Sequence, residues 1–179
     1  MAGNNLESLD AFNDRGDLNV VIETPKGSRN KFNYDEGTGL FKLGGVLPAG
    51  ASFPFDFGFV PSTIGEDGDP LDVLVLMDAA AFTGCIVASR LIGVIEAEQT
   101  ENGKTFRNDR LIAVATKSIT HRSLRDITDI SDDLVGQIEH FFISYNAAKG
   151  KRFEPKRRSE PERAKALVRA GMARARRVE

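Results

Sequence analysis

Short segments rich in Val, Ile and Phe, bounded by Gly, Pro and Asn, fill the first two thirds of the chain: residues 19–24, 31–35, 73–77, 85–98 and 105–115. Apolar positions carried by β-branched and aromatic residues and closed by turn formers mark strands, so a mainly β core is expected. Pro25-Lys26-Gly27-Ser28 and Glu101-Asn102-Gly103-Lys104 read as turns, the second as a hairpin loop between two long strands. Phe53, Phe55, Phe57 and Phe59 recur at strand spacing and read as an apolar wall.

The period changes after Thr116. Ser131, followed by Asp132 and Asp133, forms an N-cap and an acidic first turn, and Leu134, Val135, Ile138, Phe141, Phe142 and Tyr145 share one helical face. A second helix is expected to start near Ser159, with Pro161 in its first turn and Ala164, Leu167 and Val168 buried. The two helices would cover an open side of the sheet. The expected class is α+β, mainly β with flanking helices.

With 179 residues, 41% hydrophobic, the chain is long enough for one domain spanning 1–179 and too short to expect two. No apolar run approaches the roughly 18 residues a spanning helix needs, and the start is polar and acidic, so a cytoplasmic protein without membrane contact is expected. The single Cys85, in an apolar segment, reads as a buried thiol without chemistry. The net charge of −2 hides an asymmetry: residues 1–148 carry 12 Lys and Arg against 22 Asp and Glu, whereas 149–179 carry 12 against 4. A basic helix or tail over about 155–179 can dock on an acidic body or touch nucleic acid, and the first reading is preferred.

Candidate chemistry concentrates in Asp67-Gly68-Asp69-Pro70-Leu71-Asp72, three carboxylates in six residues at the mouth of an apolar strand. Anions crowded on one turn repel, and such a site suits a hard cation such as magnesium. Asp, Gly and Pro also build plain solvated turns. A calcium-binding EF-hand loop is excluded, because loop position five would be Leu71 and no glycine falls at position six. Upstream, Ile22-Glu23-Thr24-Pro25-Lys26-Gly27-Ser28-Arg29-Asn30-Lys31 brings a carboxylate and three cations within reach of one another.

Together with Phe53-Pro54-Phe55-Asp56-Phe57-Gly58-Phe59 and the segment from His140 to Tyr145, these motifs resemble the soluble inorganic pyrophosphatases of the first, magnesium-dependent family, over roughly residues 17–150. The resemblance implies a five-stranded OB-like barrel with flanking helices, and hydrolysis of pyrophosphate with several Mg2+ ions. It implies Asp67 and Asp72 as metal ligands, Asp69 as the group that deprotonates the attacking water, and Glu23 near a further ion. Lys31, Arg110 and Tyr145 would hold phosphate. A homo-oligomer, with a hexamer favoured, is also implied. Tyr145 has core packing as its alternative, since it shares a face with Ile138, Phe141 and Phe142.

The chain departs from the family pattern at several positions. Asn33 replaces a carboxylate, Gly44 and Gly45 occupy the region of a phosphate-binding arginine, and Phe53 and Phe57 replace tyrosines. Asn108 falls on an aspartate position with Asp109 beside it, so Asp109 is a metal-ligand candidate if the strand is bulged there, with Glu98 behind it. Asn146 stands where a lysine often follows the tyrosine. Three functions are therefore weighed: a pyrophosphatase, a relative that cleaves another phosphoanhydride with room near Gly44-Gly45, and a non-catalytic binder of phosphate or nucleic acid.

Overall fold

A computed structural model of the chain describes Leu6 and residues 9–177. The ends of the acidic start and of the basic tail, residues 1–5, 7–8 and 178–179, lie outside the described residues. Nine strands, two α-helices and a short 3-10 helix at Ile127–Asp129 make up the named elements among the described residues. β1 (Leu18–Thr24), β4 (Asp56–Val60), β5 (Leu71–Leu76), β8 (Arg110–Ala115) and β6 (Ile86–Glu101) pair in that order, and β6 pairs back to β1, so the ladder runs round a ring of five strands. β2 (Asn30–Asp35) and β3 (Leu40–Val46) form a separate antiparallel hairpin. β7 (Lys104–Arg107) folds back on the end of β6 through Asn102 (φ 50°) and Gly103 (φ 74°), the left-handed pair that a two-residue hairpin turn requires.

Alternation along the strands sorts the apolar side chains into two clusters. Val20, Ile22, Val73, Val75, Leu91, Val94, Leu111 and Ala113, with Val60, form a cluster to which every strand of the ring contributes. Leu74, Leu76, Ile92, Ile95, Ile112 and Val114 form the other, against which α1 (Asp132–Ala147) packs Val135, Ile138 and Phe142. Ser131 caps α1, accepting from the Leu134 amide at 3.3 Å, with Asp132 and Asp133 in the first turn as the sequence predicts. α2 (Pro161–Ala175) begins two residues after Ser159, with Pro161 in its first turn, and adds Ala164 and Val168 to the ring cluster.

Three expectations change. The predicted strand over 105–115 is broken at Asn108 and Asp109, because the chain leaves the β6–β7 hairpin there and re-enters the sheet parallel to β5. The basic segment contains a strand, β9 (Arg152–Ser159), which pairs along β6. Its arginines and lysines hide it from a hydrophobicity pattern; Arg157 pairs with the buried Glu96, Lys156 with Glu98 and Arg158 with Glu139. Cys85 is half-buried rather than buried, and desolvation raises its pKa.

Glu96 ties β6, β7, β9 and α2 together. Its carboxylate accepts from Arg107 (2.6 Å), Arg157 (2.8 Å), Arg163 (3.1 Å) and the Ser159 hydroxyl (2.6 Å), and the residue is 5% exposed. Burial by itself raises its pKa, but the donors of Arg163, Arg107, Ser159 and Arg157 outweigh burial and hold the carboxyl well below the usual range.

β1 and β4 approach closely at Gly58, opposite Ile22. A Cβ at Gly58 would collide with the Val21 carbonyl, 2.8 Å from its carbon, and lie 3.0 Å from the Ile22 Cα. Backbone cannot give way as a side chain can, so Gly58→Ala should destabilise the fold by about 1–3 kcal/mol, read as a lower urea midpoint.

Candidate active site

The acidic turn is held from behind by α2 and by its own backbone. The Gly65 amide donates to the Asp69 carbonyl at 2.7 Å, the Leu71 amide to the Thr63 hydroxyl at 3.1 Å, and the Ile64 amide to the Gly171 carbonyl at 3.1 Å. Arg174 of α2 reaches the Ile64 carbonyl at 3.3 Å, so the basic C-terminal helix docks on the loop that carries the carboxylates. In front, Asp67, Asp69 and Asp72 line a cleft of about 890 Å³ with Glu23, Lys31, Arg110 and Tyr145. Seven of the predicted residues, drawn from β1, β2, the acidic turn, β5, β8 and α1, thus meet at one opening.

Asp72 is the electrostatic centre. Desolvation pushes its pKa up to about 6; Arg110 opposes the rise, while the charges of Glu23 and Asp67 add to it. Arg110, 3% exposed, donates to Asp72 at 2.7 Å and to the Asn108 side chain, with its guanidinium over the rings of Phe142 (4.8 Å) and Phe153 (5.0 Å). Its Nε has no hydrogen-bond partner among the described residues. Burial raises the pKa of Asp67, and the charge of Asp69 adds to this; its Oδ1 accepts from the Asp69 amide at 3.2 Å.

Glu23 accepts from Lys31 Nζ at 3.0 Å and from the Tyr34 amide at 2.8 Å, which orients both oxygens. Lys31 also donates to the Phe32 carbonyl at 2.7 Å and lies 4.8 Å above the Phe57 ring. Phe53 and Phe57 are buried and pack with Phe141, Phe142 and Tyr145, so the aromatic wall sits under the cleft. Tyr145 lies at the edge of that wall. Burial, with the Asp72 charge adding, pushes its pKa up to about 12, so its hydroxyl stays a donor.

Asp109 is not brought into the cleft. Its carboxylate accepts from the Ala97 amide at 2.9 Å and from Arg107 at 3.0 Å, while Asn108 faces the cleft and donates to Gln99 at 3.0 Å. Asp109 lines instead a smaller recess beside the cleft, with Asp67, Asp72 and Asn108. Glu98 pairs with Lys156 of β9 at 3.1 Å and does not line the cleft.

The family model described as inorganic pyrophosphatase matches residues 20–176. The chain belongs to the inorganic pyrophosphatase family. The match runs through α2, beyond the motifs that carry the resemblance in the sequence. An inorganic pyrophosphatase of Corynebacterium efficiens is 42% identical over 135 residues, covering 75% of this chain and 82% of that protein. The inorganic pyrophosphatase of Thermus thermophilus is 37% identical over 149 residues, covering 83% of each. A crystal structure of inorganic pyrophosphatase from Thermus thermophilus superposes with a TM-score of 0.87 and 35% identity, over 96% of this chain and 99% of that one. The five-stranded ring with two helices matches the OB-like fold of such pyrophosphatases.

Members of this first pyrophosphatase family depend on metal ions. The charged oxygen donors facing the cleft are carboxylates, which suit a hard cation, and burial, with neighbouring carboxylates adding to it, raises the pKa of Asp67 and Asp72. Among the described residues no three acidic side chains are close enough to share one ion.

One cleft residue escapes the sequence reading. Lys149, four residues after Tyr145 and just past the end of α1, donates to the Tyr145 hydroxyl and lies 4.2 Å over its ring. Burial and repulsion from Lys31 and Lys151 lower its pKa. Asn146, at the wall of the cleft, is 3% exposed, and its side chain donates back to the Phe142 carbonyl at 2.8 Å. The four-residue spacing is the signal that could have found Lys149, since positions four apart on a helix are neighbours.

Proposed function

We propose that this chain hydrolyses inorganic pyrophosphate to two phosphates with Mg2+ as cofactor, Asp67, Asp69, Asp72 and Glu23 holding the ions, directly or through water. The observation that carries the reading is the convergence of the acidic turn with Lys31, Arg110 and Tyr145 on one cleft, in a member of the inorganic pyrophosphatase family. Divalent ions bound there would acidify a water molecule and screen the charge on the phosphates.

The protein's own residues divide the remaining work. Asp69, the most solvent-facing of the three aspartates, takes the proton of the attacking water. Lys31 and Arg110 offer charged donors to phosphate oxygens, and Arg110 is fixed between two rings so that little freedom is lost on binding. Tyr145 keeps its proton and donates a hydrogen bond to an oxygen of the departing phosphate, while Lys149 occupies the other side of that hydroxyl. Asp109 is outside the ligand set because its carboxylate is committed to Arg107 and to the backbone of β6.

Phosphate release from magnesium pyrophosphate by the full chain tests the activity. A magnesium titration tests the ligand assignment. Asp72→Ala should raise the magnesium concentration for half-maximal rate by about tenfold or more, the scale on which metal-site changes act. Lys42→Ala, which removes an exposed cation paired with Asp35 at 3.1 Å, should leave it nearly unchanged. Equal metal dependence in the two variants counts against Asp72 as a ligand.

Residues 1–179 are read as one cytoplasmic domain that assembles into a homo-oligomer, a hexamer being the expected form. Exposed apolar side chains such as Phe82, Ile86 and Ile119 support association, and the unpaired Cys85 suits a reducing compartment. Among the described residues no helix is long and apolar enough to cross a membrane. Sedimentation equilibrium measures the assembly.

A further inference from the structure

The cleft does not end at Tyr145. Lys31, Tyr145 and Lys149 also line a second chamber of about 560 Å³, bounded by Arg29 and by Gly44 to Pro48 of the β2–β3 hairpin and its exit. No acidic side chain lines this chamber, and three cations do: Arg29, Lys31 and Lys149. Lys31 is paired with Glu23, but among the described residues neither Arg29 nor Lys149 has an ion pair. The Arg29 Nε donates to the Leu47 carbonyl at 2.9 Å, which holds the guanidinium at the chamber wall. Both are exposed, and beside an opening read above as a phosphate site they can hold an anion continuous with the one in the main cleft.

The hairpin is what keeps the chamber open. A side chain at Gly44 would run into the Asn33 amide, whereas a Cβ at Gly45 would meet nothing within 4 Å. Asn33 and Gly44 therefore interlock across β2 and β3, and beside them the space next to Gly45 stays clear.

Resting on the hydrolytic reading above, we propose that the chamber binds a third phosphoryl group, so that the enzyme also takes linear triphosphates, with Arg29 and Lys149 holding the distal phosphate. The water oxygen bonds to the phosphorus held at the acidic turn. The bond from that phosphorus to its bridging oxygen breaks, the electron pair stays on the departing diphosphate, and a water proton passes to Asp69. Tripolyphosphate and water thus give pyrophosphate and phosphate, and the pyrophosphate is a substrate for the next turnover.

The test uses the full chain with magnesium, and compares release of phosphate from pyrophosphate, inorganic tripolyphosphate and ATP by the parent, Arg29→Ala and Gly45→Asp. Arg29→Ala removes the unpaired guanidinium, and Gly45→Asp places an anion in the clear space without needing the Arg29 contact to Leu47. Each variant should lower kcat/KM for tripolyphosphate by about tenfold or more, as expected for a lost charged contact, and change that for pyrophosphate much less. The same loss with ATP identifies a nucleoside triphosphate as a further source of the third group. Cleavage of tripolyphosphate alone identifies the inorganic chain. Pyrophosphate cleavage with no triphosphate cleavage, or with triphosphate cleavage indifferent to both substitutions, overturns the proposal and leaves the pyrophosphatase reading standing. If no phosphate is released from any substrate, the hydrolytic reading fails, and calorimetric binding of tripolyphosphate then decides the chamber. Binding weakened about tenfold by Arg29→Ala keeps the chamber, and unchanged or absent binding removes it.

Discussion

Asp69→Asn should lower turnover of magnesium pyrophosphate by about 10²–10⁴-fold, the range that a positioned general base contributes. The substitution keeps size and shape and removes the carboxylate's charge together with its ability to accept a proton. It also leaves the turn intact, because Asp69 contributes to it through backbone: its carbonyl accepts from Gly65 at 2.7 Å and its amide donates to Asp67 at 3.2 Å. The side chain is exposed, so stability should stay within about 0.5 kcal/mol of the parent. Stopped-time phosphate assays across a magnesium range separate this loss from weakened metal binding, which more magnesium would restore. A variant that keeps half of the parent's turnover at saturating magnesium would show that Asp69 is not the base.

The second large effect concerns stability. Glu96→Gln should cost about 3 kcal/mol, at the low end of what removing one partner from a buried ion cluster costs, because its arginines can turn partly to solvent. Gln keeps the volume but loses the charge that Arg107, Arg157 and Arg163 share, and its amide group presents donors where two arginines already donate. For a chain of this size the melting temperature should fall by about 6–12 °C. The pH dependence has a definite sign. The folded pKa of Glu96 is depressed, so its contribution is present in full above the ordinary glutamate range and is lost as pH falls below it. The gap between parent and variant should therefore narrow on acidification from neutrality. A constant gap down to the acid transition would mean that packing, not charge, carries the effect.

The two positions show what kinds of information the chain holds. Asp69 is legible in the amino-acid order because its partners Asp67 and Asp72 lie within three residues of it, in a turn that Gly and Pro write directly into the sequence. Glu96 is not. Its partners come from β7, β9 and α2, and the nearest in sequence, Arg107, is eleven residues away. Nothing in the local pattern distinguishes it from Glu98, two positions on and on the same face, which pairs with Lys156 at the surface.

The same division runs through the fold and the cleft. Strand positions in β1, β5 and β6, the hairpin at Asn102-Gly103, the Ser131 cap and the apolar face of α1 are legible, because turn chemistry and side-chain period are properties of a few consecutive residues. β9 is not, because Lys and Arg fill it and only pairing along β6 makes it a strand. Asn108 and Asp109 cannot be told apart by sequence either, since which of them faces the cleft depends on where the chain breaks between β7 and β8. Lys149 reaches Tyr145 through the helical turn, but it shares a chamber with Lys31 and Arg29 only because the end of α1 comes beside the β2–β3 hairpin. The amino-acid order by itself determined most of the elements, the family and the acidic turn, all of which rest on short-range preferences. Which charged groups meet, and which space between them stays open, was decided by tertiary packing, because those distances are set by contacts between residues far apart in the chain.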